Sequence, residues 1–546
     1  MQVQVRINQE GALRNQRYAF TDRFTLVTEL LQNARRAGAS RVTVDCNDDA
    51  QTLKVSDDGC GVVDFQKLLT FHESGWDEAT AEQERPFGVG FSKCLYAASR
   101  CTVASGRRRI EFDTAAALAL QPIDVVSTDE DVQGTRVELR GVNIQDLASR
   151  IETLCQGFPI AVVFNGGALL RAYAVDRLAT VTTPIGAVHL ARMADGKAAT
   201  GMLVFLQGFC VHSSGYFRMG DVNVVHLDSR EFLARLPDRD MLIDEDRQLR
   251  RVDAQIKASW RAVLEEAKHR LTAQDFVETY YDAMRTVGHL DLLNDLDALP
   301  AQAFRVIDGY PIQEGFGECG CLGTPPSAPT RAAIESGAVT LVVLDAVNEE
   351  NAAHWMLARA KDYIVFEAHA LHGDHWVQAH AHWIDESQAT VEPIDVEVCT
   401  PLEGRWVWPT VSLCRAIRIR IGEEVAEVTD AGVCHEEVIH IPEGETSGEP
   451  VRQLSSFTDS NDQFLESDLE ADREALADLI RRLRTRDPVS TLDSLLHELR
   501  LGKYPLLHGK TFELTVGVGA SPGHSIVLVD TVEAVGAPVG ADHAGP

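Results

Sequence analysis

The sequence predicts an α+β protein of several domains. Within the first 150 residues, helix-like and strand-like segments follow one another as helix, strand and strand, which is not the repeating order of a parallel doubly wound sheet. The share of hydrophobic residues is 45%, as in ordinary globular proteins. A length of 546 residues leaves room for about three or four domains, each with its own core.

The elements of the first domain, residues 1–150, follow from local patterns. Residues 24–37 place Leu26, Leu30 and Ala34 at helical spacing, and Gly38 then ends the helix. Residues 41–45 and 52–56 alternate between apolar and polar side chains, as half-buried strands do. A small-residue helix at about 91–99 and strands at 100–105 and 134–139 complete an α/β sandwich.

The rest of the chain divides by composition. Residues 151–300 read as a mixed α/β middle domain, with strands at 161–164 and 201–206 and a long helix at 252–271. Residues 301–330 are rich in Gly and Pro and predict a linker. Residues 331–535 predict a mixed α/β C-terminal domain, with a helical pair at 464–486 and 490–500 and closing strands at 511–518 and 525–529. The last segment, 536–546, predicts a flexible tail.

Charge and targeting signals exclude some classes of protein. The net charge is −31, and the residues after 300 hold 17 basic against 40 acidic side chains. Nucleic acid is therefore not favoured as a partner, since phosphate binding needs a surplus of Lys and Arg. We see no secretory signal or membrane-spanning stretch, and the eleven cysteines show no pairing pattern. A cytoplasmic protein is expected.

Three short segments of the first domain point to one kind of site. Glu29 and Asn33 are four residues apart on the predicted helix, so both project from one face, where a carboxylate can take a proton from water and an amide oxygen can ligate a hard cation. A solvated polar pair is the alternative. Asp57-Asp58-Gly59-Cys60-Gly61 follows a strand, and its glycines allow a ligand close to bare backbone; a surface turn is the alternative there.

The third segment opens the small-residue helix as Pro86-Phe87-Gly88-Val89-Gly90-Phe91-Ser92. Its backbone N–H groups can hold phosphate oxygens. With Gly134-Thr135 before the last strand, the four segments resemble the GHKL ATPase superfamily of gyrase B, the heat-shock ninety chaperones, MutL-type proteins and histidine kinases. This resemblance covers about residues 1–150 and implies the Bergerat ATP-binding fold. No P-loop motif occurs in the sequence.

The resemblance implies a role for each matched position. Asp57 would bind the adenine amino group with support from Thr135, and Glu29 would orient or deprotonate the attacking water. Asn33 would ligate Mg²⁺. The remaining implied contacts to ATP come from the glycine segments, namely Gly59, Gly61, Gly88, Val89, Gly90, Phe91 and Ser92, while residues 62–87 would form a lid.

One position departs from the superfamily pattern. Many members have Asn-x-x-Asp-Ala, whereas this chain has Arg36 in place of the aspartate. Residues 69–76 and 87–105 resemble the lid and phosphate segments of the heat-shock ninety branch. Leu227-Asp-Ser-Arg230 is similar to the middle-domain loop of those chaperones, which implies that Arg230 senses the terminal phosphate. The alternative for Arg230 is an ordinary arginine at the start of a helix.

The functional hypothesis is an ATP- and Mg²⁺-dependent ATPase that acts as a conformational switch of the chaperone type. The resemblance implies an ATP-dependent homodimer, and the acidic C-terminal region is expected to bind a protein client or partner. Two alternatives stay open: a DNA-associated clamp of the MutL or MORC type using a basic surface at residues 107–109, or a module that binds ATP without turnover.

Two histidine-rich stretches give weaker signals. Five histidines between His369 and His382 could bind a transition metal, but a strand face shared by His380 and His382 with ordinary loop histidines beside it is the favoured interpretation. His435 and His440 look like a zinc-protease helix, but their spacing of five residues places them on different faces.

Overall fold

The structure of the protein is a computed structural model. It describes residues 3–4, 8–19, 22–73, 75–76, 88, 90–215, 221–235, 240–312, 321–345, 347, 351–384, 389–457, 466–485, 487–498, 501–517 and 523–529. The tail predicted at 536–546 lies outside these residues. The chain forms two compact units, the first made of Met1–Pro300 with Ala370–His375 and the second of Ala301–His369 with Trp376–Pro546.

The first unit begins with a six-stranded sheet in the order β3-β4-β2-β1-β5-β6. Its strands are β1 (Arg41–Asn47), β2 (Thr52–Asp57), β3 (Arg100–Asp113), β4 (Val125–Arg140), β5 (Ala161–Phe164) and β6 (Gly167–Ala168). All neighbours are antiparallel except β1 and β5, which pair in parallel. The predicted α+β class is confirmed, and the sheet extends to residue 168, beyond the boundary predicted at 150.

Helices accompany this first sheet and supply part of its core. They are α1 (Gln9–Gln16), α2 (Thr25–Arg36), α3 (Phe65–Leu69), α4 (Lys93–Ala97), α5 (Thr114–Leu118) and α6 (Leu147–Leu154). On α2 the side chains of Leu26, Leu30 and Ala34 are buried in one hydrophobic core with Val42 and Val44 of β1. This burial is the physical reason for the helical spacing seen in the sequence.

A second sheet of five strands completes the first unit in the order β10-β9-β11-β8-β7. Its strands are β7 (Val181–Thr183), β8 (Gly186–His189), β9 (Gly201–Leu206), β10 (Phe209–Ser213) and β11 (Val222–Leu227), and two helices follow, α7 (Glu245–Arg270) and α8 (Ala273–Val287). The pair β9–β11 is parallel, while the other neighbours are antiparallel.

The hairpin β9–β10 joins the second sheet to the first domain. Its turn has Gln207 and Gly208 at φ values of 56° and 88°. Turns with positive φ at both central residues have a backbone twist that matches the twist of the flanking strands. Gln32, which is fully buried on α2, donates a hydrogen bond from Nε2 to Oε1 of Gln207. Phe209 is buried in the core of the first domain and stacks on Phe158 with ring centres 5.3 Å apart. The two sheets of the first unit therefore share buried contacts.

The second unit holds two further five-stranded sheets and a separate hairpin. One sheet has the order β13-β12-β15-β14-β16, the other has β17-β18-β21-β20 with β19 paired to β18, and β22 pairs with β23 alone. The strands are β12 (Phe304–Ile307), β13 (Leu322–Gly323), β14 (Leu341–Val343), β15 (Ile364–Phe366), β16 (Ala381–Trp383), β17 (Thr390–Pro401), β18 (Thr410–Ile421), β19 (Glu424–Val428), β20 (Val433–His435), β21 (Val438–Ile441), β22 (Thr511–Val516) and β23 (His524–Val529).

The helices of the second unit are α9 (Arg331–Glu335), α10 (Ala352–Ala360), α11 (Val451–Phe457), α12 (Glu466–Arg484) and α13 (Pro488–Glu498). On α12, Asp472 is fully buried and its carboxylate accepts hydrogen bonds from the backbone N–H groups of Arg405, Trp406 and Val407. This one side chain therefore anchors the loop between β17 and β18.

Several details differ from the sequence prediction. Strands β12 and β13 lie inside the segment predicted as a linker. Within the part of the chain that the structure describes, β22 and β23 pair only with each other instead of closing a larger sheet. His435 and His440 lie on the two strands of a hairpin, so the comparison with a helical motif does not apply. His380 ends a 3-10 helix, and only His382 lies in the following strand, so the strand face predicted for the two is wrong.

Candidate nucleotide site

The candidate site includes the polar face of α2, which carries Glu29 and Asn33. Glu29 is 6% exposed, and Asn33, one turn later, is half-buried. The Glu29 carboxylate forms an ion pair with Lys93, the first residue of α4, with 3.7 Å between Oε1 and Nζ. A carboxylate this deeply buried is not the solvated surface residue that the alternative interpretation required.

The glycine segment before α4 contacts Glu29 directly. A β carbon at Gly90 would lie 2.3 Å from Oε2 of Glu29, so any larger residue there would displace the Glu29 carboxylate. Gly88 has a φ of +68° and its carbonyl accepts a hydrogen bond of 2.9 Å from the N–H of His72. Phe91 and Ser92 are buried, whereas Val89 lies outside the described residues. The helix itself, α4, is five residues long, shorter than predicted.

Asp57 lies at the end of β2, opposite Thr135 of β4 in the antiparallel register. Its Oδ1 accepts a hydrogen bond of 2.9 Å from the N–H of Gly59. Burial raises the pKa of the Asp57 carboxyl above its ordinary value, and hydrogen bonds from the backbone of Gly59 and Thr135 oppose that shift only in part. The predicted neighbours Asp57, Gly59 and Thr135 are thus brought together.

The neighbouring carboxylate has a structural role. Asp58 accepts hydrogen bonds of 2.7 Å and 2.9 Å from the N–H groups of Ser40 and Arg41. The hydrogen bond from the Ser40 hydroxyl is the main reason that the pKa of Asp58 is lowered. Of the two adjacent aspartates, Asp58 therefore holds the turn after α2, and Asp57 is the candidate for ligand binding.

Ser105 connects three segments of the site, although in the sequence it is only the last residue of a predicted strand. It is 5% exposed. Its hydroxyl donates a hydrogen bond of 2.8 Å to the carbonyl of Gly134 and accepts one of 2.8 Å from the N–H of Val62. A β carbon at Gly61 would lie 2.5 Å from the same oxygen. Ser105 therefore fixes the loop after β2 against the start of the Gly134-Thr135 segment.

A cavity of about 890 Å³ lies beside this constellation and has a different lining. Leu13 of α1, Phe65 and Leu69 of α3, and Ile123 after α5 contribute apolar side chains. Arg108 also lines it and donates a hydrogen bond of 2.9 Å to the carbonyl of Val63. Among the described residues, neither Glu29 nor Asp57 lines this cavity, so its volume is not evidence for the nucleotide site, which is assigned from side-chain chemistry. Part of the predicted lid, namely residue 74 and residues 77–87, lies outside the described part of the chain.

Arg230 lies on the loop after β11 and is 71% exposed. Its guanidinium pairs with Asp228, with 3.0 Å between Nη2 and Oδ2. This pair raises the pKa of Arg230 further, chiefly through the hydrogen bond to Asp228. Arg230 therefore pairs with a residue of its own loop, and its contact with a phosphate stays a prediction.

The basic surface proposed for DNA is largely neutralised within the first domain. Arg107 pairs with Asp131 at 3.7 Å, and Arg109 pairs with Glu111. Arg108 is engaged with backbone carbonyls. These ion pairs reduce the positive potential that binding to DNA phosphates needs.

The described residues contain no group of three or more His, Cys, Asp or Glu side chains that could hold a metal ion, and this includes the histidines between 369 and 382. No helix in the described part of the chain is long and apolar enough to cross a membrane. A magnesium ion brought in with ATP is a different case, because phosphates and water supply most of its ligands.

Comparisons with known proteins agree with the assignment of the fold. Residues 21–147 match the family of histidine kinase-, DNA gyrase B-, and HSP90-like ATPases. This part of the chain belongs to the GHKL ATPase superfamily, whose members bind ATP. No curated protein matches the chain.

Two solved structures are similar in part. The ATPase region of Saccharomyces cerevisiae topoisomerase II has 10% sequence identity over 44% of this chain and 89% of that one, with a TM-score of 0.32. The same region bound to ICRF-187 (dexrazoxane) has 12% identity over 38% of this chain and 75% of that one, with a TM-score of 0.27. At these scores the similarity supports no conclusion about substrates or partners.

Proposed function

We propose that the chain is a magnesium-dependent ATPase that works as an ATP-driven conformational switch. The observation that carries the proposal is the contact between Glu29 and Gly90, which places a buried carboxylate against the segment expected to hold phosphates. A general base must lie within hydrogen-bond reach of the water that it activates, and that water attacks the terminal phosphate. The arrangement of Glu29 fits this requirement.

The other residues divide between recognition and charge stabilisation. The carboxylate of Asp57 would accept a hydrogen bond from the adenine amino group, and Gly59, Gly61 and Thr135 would surround the base. Backbone N–H groups from Gly88 to Ser92 would bind the phosphate oxygens. Asn33 would hold magnesium, which neutralises charge on the phosphates when it is bound.

Buried contacts between the two sheets support the switch. The turn at Gln207 touches α2, the helix that carries Glu29 and Asn33, so a change in α2 on binding would reach the second sheet without passing through solvent. We propose that Arg230 then moves from Asp228 towards the terminal phosphate. A chaperone-like action, an ATP-dependent homodimer and a partner of the acidic C-terminal half belong to the same proposal.

The decisive experiment compares ATP binding and phosphate release with and without Mg²⁺ for the wild type and for Glu29→Gln. We expect Glu29→Gln to keep nucleotide affinity within about three-fold and to lose turnover by about a hundred-fold or more, since only the proton acceptor is removed. Glutamine is preferred to alanine because Glu29 is buried against Gly90. A wild-type chain that binds no nucleotide would refute the proposal.

The two alternatives predict different results in the same assay. An ATP-binding module without turnover would bind ATP but release no phosphate in a single-turnover experiment. A DNA clamp would show stimulation of its ATPase by DNA with a steep dependence on salt. The ion pairs of Arg107 and Arg109 favour the absence of such stimulation.

A further inference from the structure

Lys93 is a buried cation beside the candidate nucleotide site, and the proposed ATPase mechanism assigns it no role. Its side chain is 3% exposed, although lysine is rarely buried to this extent without a partner. The residue follows the glycine segment directly, and its N–H donates a hydrogen bond of 3.3 Å to the carbonyl of Gly90. Lys93 is therefore tied to the same glycine that touches Glu29.

The ion pair between Lys93 and Glu29 is close but not tight. The separation of 3.7 Å between Nζ and Oε1 exceeds the roughly 2.7–2.9 Å of a charge-assisted hydrogen bond. An ammonium has three donors, and its flexible stem allows it to change partners. The pair thus neutralises a buried carboxylate at a separation longer than a hydrogen bond.

The positive charge of Lys93 also acts on a second carboxylate, that of Asp22. Asp22, just before α2, forms a two-pronged interaction with Arg150. The pKa of the Asp22 carboxyl is lowered, mainly by the hydrogen bond from Arg150 and to a smaller extent by the charge of Lys93. Lys93 therefore lies among carboxylates, where an arriving polyanion would compete for it.

We propose that Lys93 is a ligand of the terminal phosphate of ATP, and that Glu29 holds its ammonium until that phosphate arrives. This inference rests on the proposed function. A water poised for attack must lie between Glu29 and the terminal phosphate, so a cation beside Glu29 is within a few ångströms of that phosphate. The phosphate carries more negative charge than one carboxylate and draws the ammonium away.

Two consequences follow from this exchange of partners. ATP is preferred to ADP, because only ATP brings the group that Lys93 binds. The Oε1 atom of Glu29 is also no longer paired with Nζ of Lys93 once the ammonium has left, so this oxygen can then accept a hydrogen bond from the attacking water. Glu29 therefore acts as the general base only when a nucleotide with a terminal phosphate is bound.

The test compares Lys93→Met and Lys93→Arg in the full chain, with Lys54→Met on β2 as the control for loss of a lysine charge. Calorimetry in the presence of Mg²⁺ gives the Kd for ADP and for AMP-PNP, an ATP analogue that is not hydrolysed. We expect Lys93→Met to weaken AMP-PNP by at least about ten-fold and to change ADP by less than about three-fold. Lys93→Arg should recover part of the AMP-PNP affinity, and Lys54→Met should match the wild type.

A second pair of variants covers the case in which Lys93→Met does not fold because Glu29 is left buried without its cation. Glu29→Gln and Glu29→Gln with Lys93→Met both lack that carboxylate, so they can be compared with each other. A ratio of AMP-PNP to ADP affinity that is the same in these two variants would overturn the role of Lys93. Absence of nucleotide binding by the wild type would instead refute the proposed function itself.

Discussion

The backbone of Gly134 passes so close to Asp57 that a β carbon at position 134 would lie 2.1 Å from the Asp57 carbonyl oxygen. Gly134 also has a φ of +69°, in the left-handed region. Asp57, the candidate carboxylate for binding adenine, can therefore lie this close to the Gly134-Thr135 segment only because residue 134 has no side chain. Either feature alone would favour glycine, and the two together require it.

Gly134→Ala should therefore damage both folding and nucleotide binding. We expect a loss of at least about 3 kcal/mol in the free energy of unfolding, because the strained φ and the steric overlap add. The matched control is Gly106→Ala, at a φ of +55° with no atom within 4 Å of the added carbon. That control should lose only about 1–2 kcal/mol and keep nucleotide affinity. Equal losses in the two variants would show that the overlap at Gly134 is relieved.

Replacing Asp57 and Asp58 by asparagine should change stability in opposite directions. The folded-state pKa of Asp57 is raised by burial, so the ionised carboxylate costs stability at neutral pH, and this cost disappears as the pH falls through the raised pKa. Asp57→Asn should melt at the same or a higher temperature than the wild type at pH 7.5, yet lose nucleotide binding.

For Asp58 the expected change in stability has the opposite sign. Its folded-state pKa is lowered, chiefly by the Ser40 hydroxyl, so its contribution to stability is present above the unfolded pKa and is lost as the pH falls through the folded one. Asp58→Asn should therefore lower the melting temperature slightly and leave nucleotide affinity intact. Thermal unfolding and calorimetry on both variants check the pair, and the same sign for both would contradict this account.

The contact between Gln32 and Gln207 predicts a stability change that depends on both residues. Gln207→Gly removes the amide that binds Gln32 and keeps the positive φ of the turn. Leaving the buried Gln32 amide unsatisfied should cost about 1–3 kcal/mol. Adding Gln32→Met should recover most of that loss, because no buried polar group then remains. Denaturant unfolding of the single and double variants measures the coupling, which simple additivity would disprove.

Arg230→Ala should lower turnover by about ten-fold or more if the arginine stabilises the terminal phosphate. Nucleotide affinity and melting temperature should stay unchanged, because Arg230 is exposed and its ion pair is with Asp228 of the same loop. Arg177→Ala is the control, since Arg177 is also exposed and paired with a neighbouring aspartate, Asp176. Steady-state kinetics of both variants decide the matter, and equal kcat values would remove Arg230 from the mechanism.

Asp472→Ala should destabilise the second unit by about 3–5 kcal/mol, because three backbone N–H groups lose their acceptor in a buried place. Glu470→Ala on the same helix is the control, since Glu470 is half exposed and pairs with Arg473 at the surface. We expect that control to unfold like the wild type. Denaturant unfolding followed by tryptophan fluorescence suits this test, because Trp406 is in the affected loop.

Local patterns in the sequence predict the elements that local physics determines. The sequence predicts a helix at 24–37, and α2 spans Thr25–Arg36, because its buried face repeats every three to four residues. The predicted strand at 201–206 has the bounds of β9. The helical spacing also predicts that Glu29 and Asn33 share one face of α2, and Glu29 is buried on that helix.

Contacts between distant segments could not be predicted in this way. Ser105 is one serine at the end of a strand, and its importance comes from Val62 and Gly134, which lie 43 and 29 residues away. The role of Lys93 depends on Glu29 from another helix, and no short motif in the sequence contains both. The spacing of His435 and His440 argues against a zinc-binding helix, but it does not say whether the chain turns back between them, as it does in the hairpin of β20 and β21.

The parallel pairing of β5 with β1 decides where this chain can be cut. Arg41–Val44 of β1 take their partners from residues 161–164, so a fragment ending at residue 150 would lose both β5 and β6 and leave β1 as an edge strand, unpaired on that side. Such a fragment should aggregate. Expression of the ATPase alone should therefore begin with fragments that run to Pro300, where the first compact unit ends its continuous stretch.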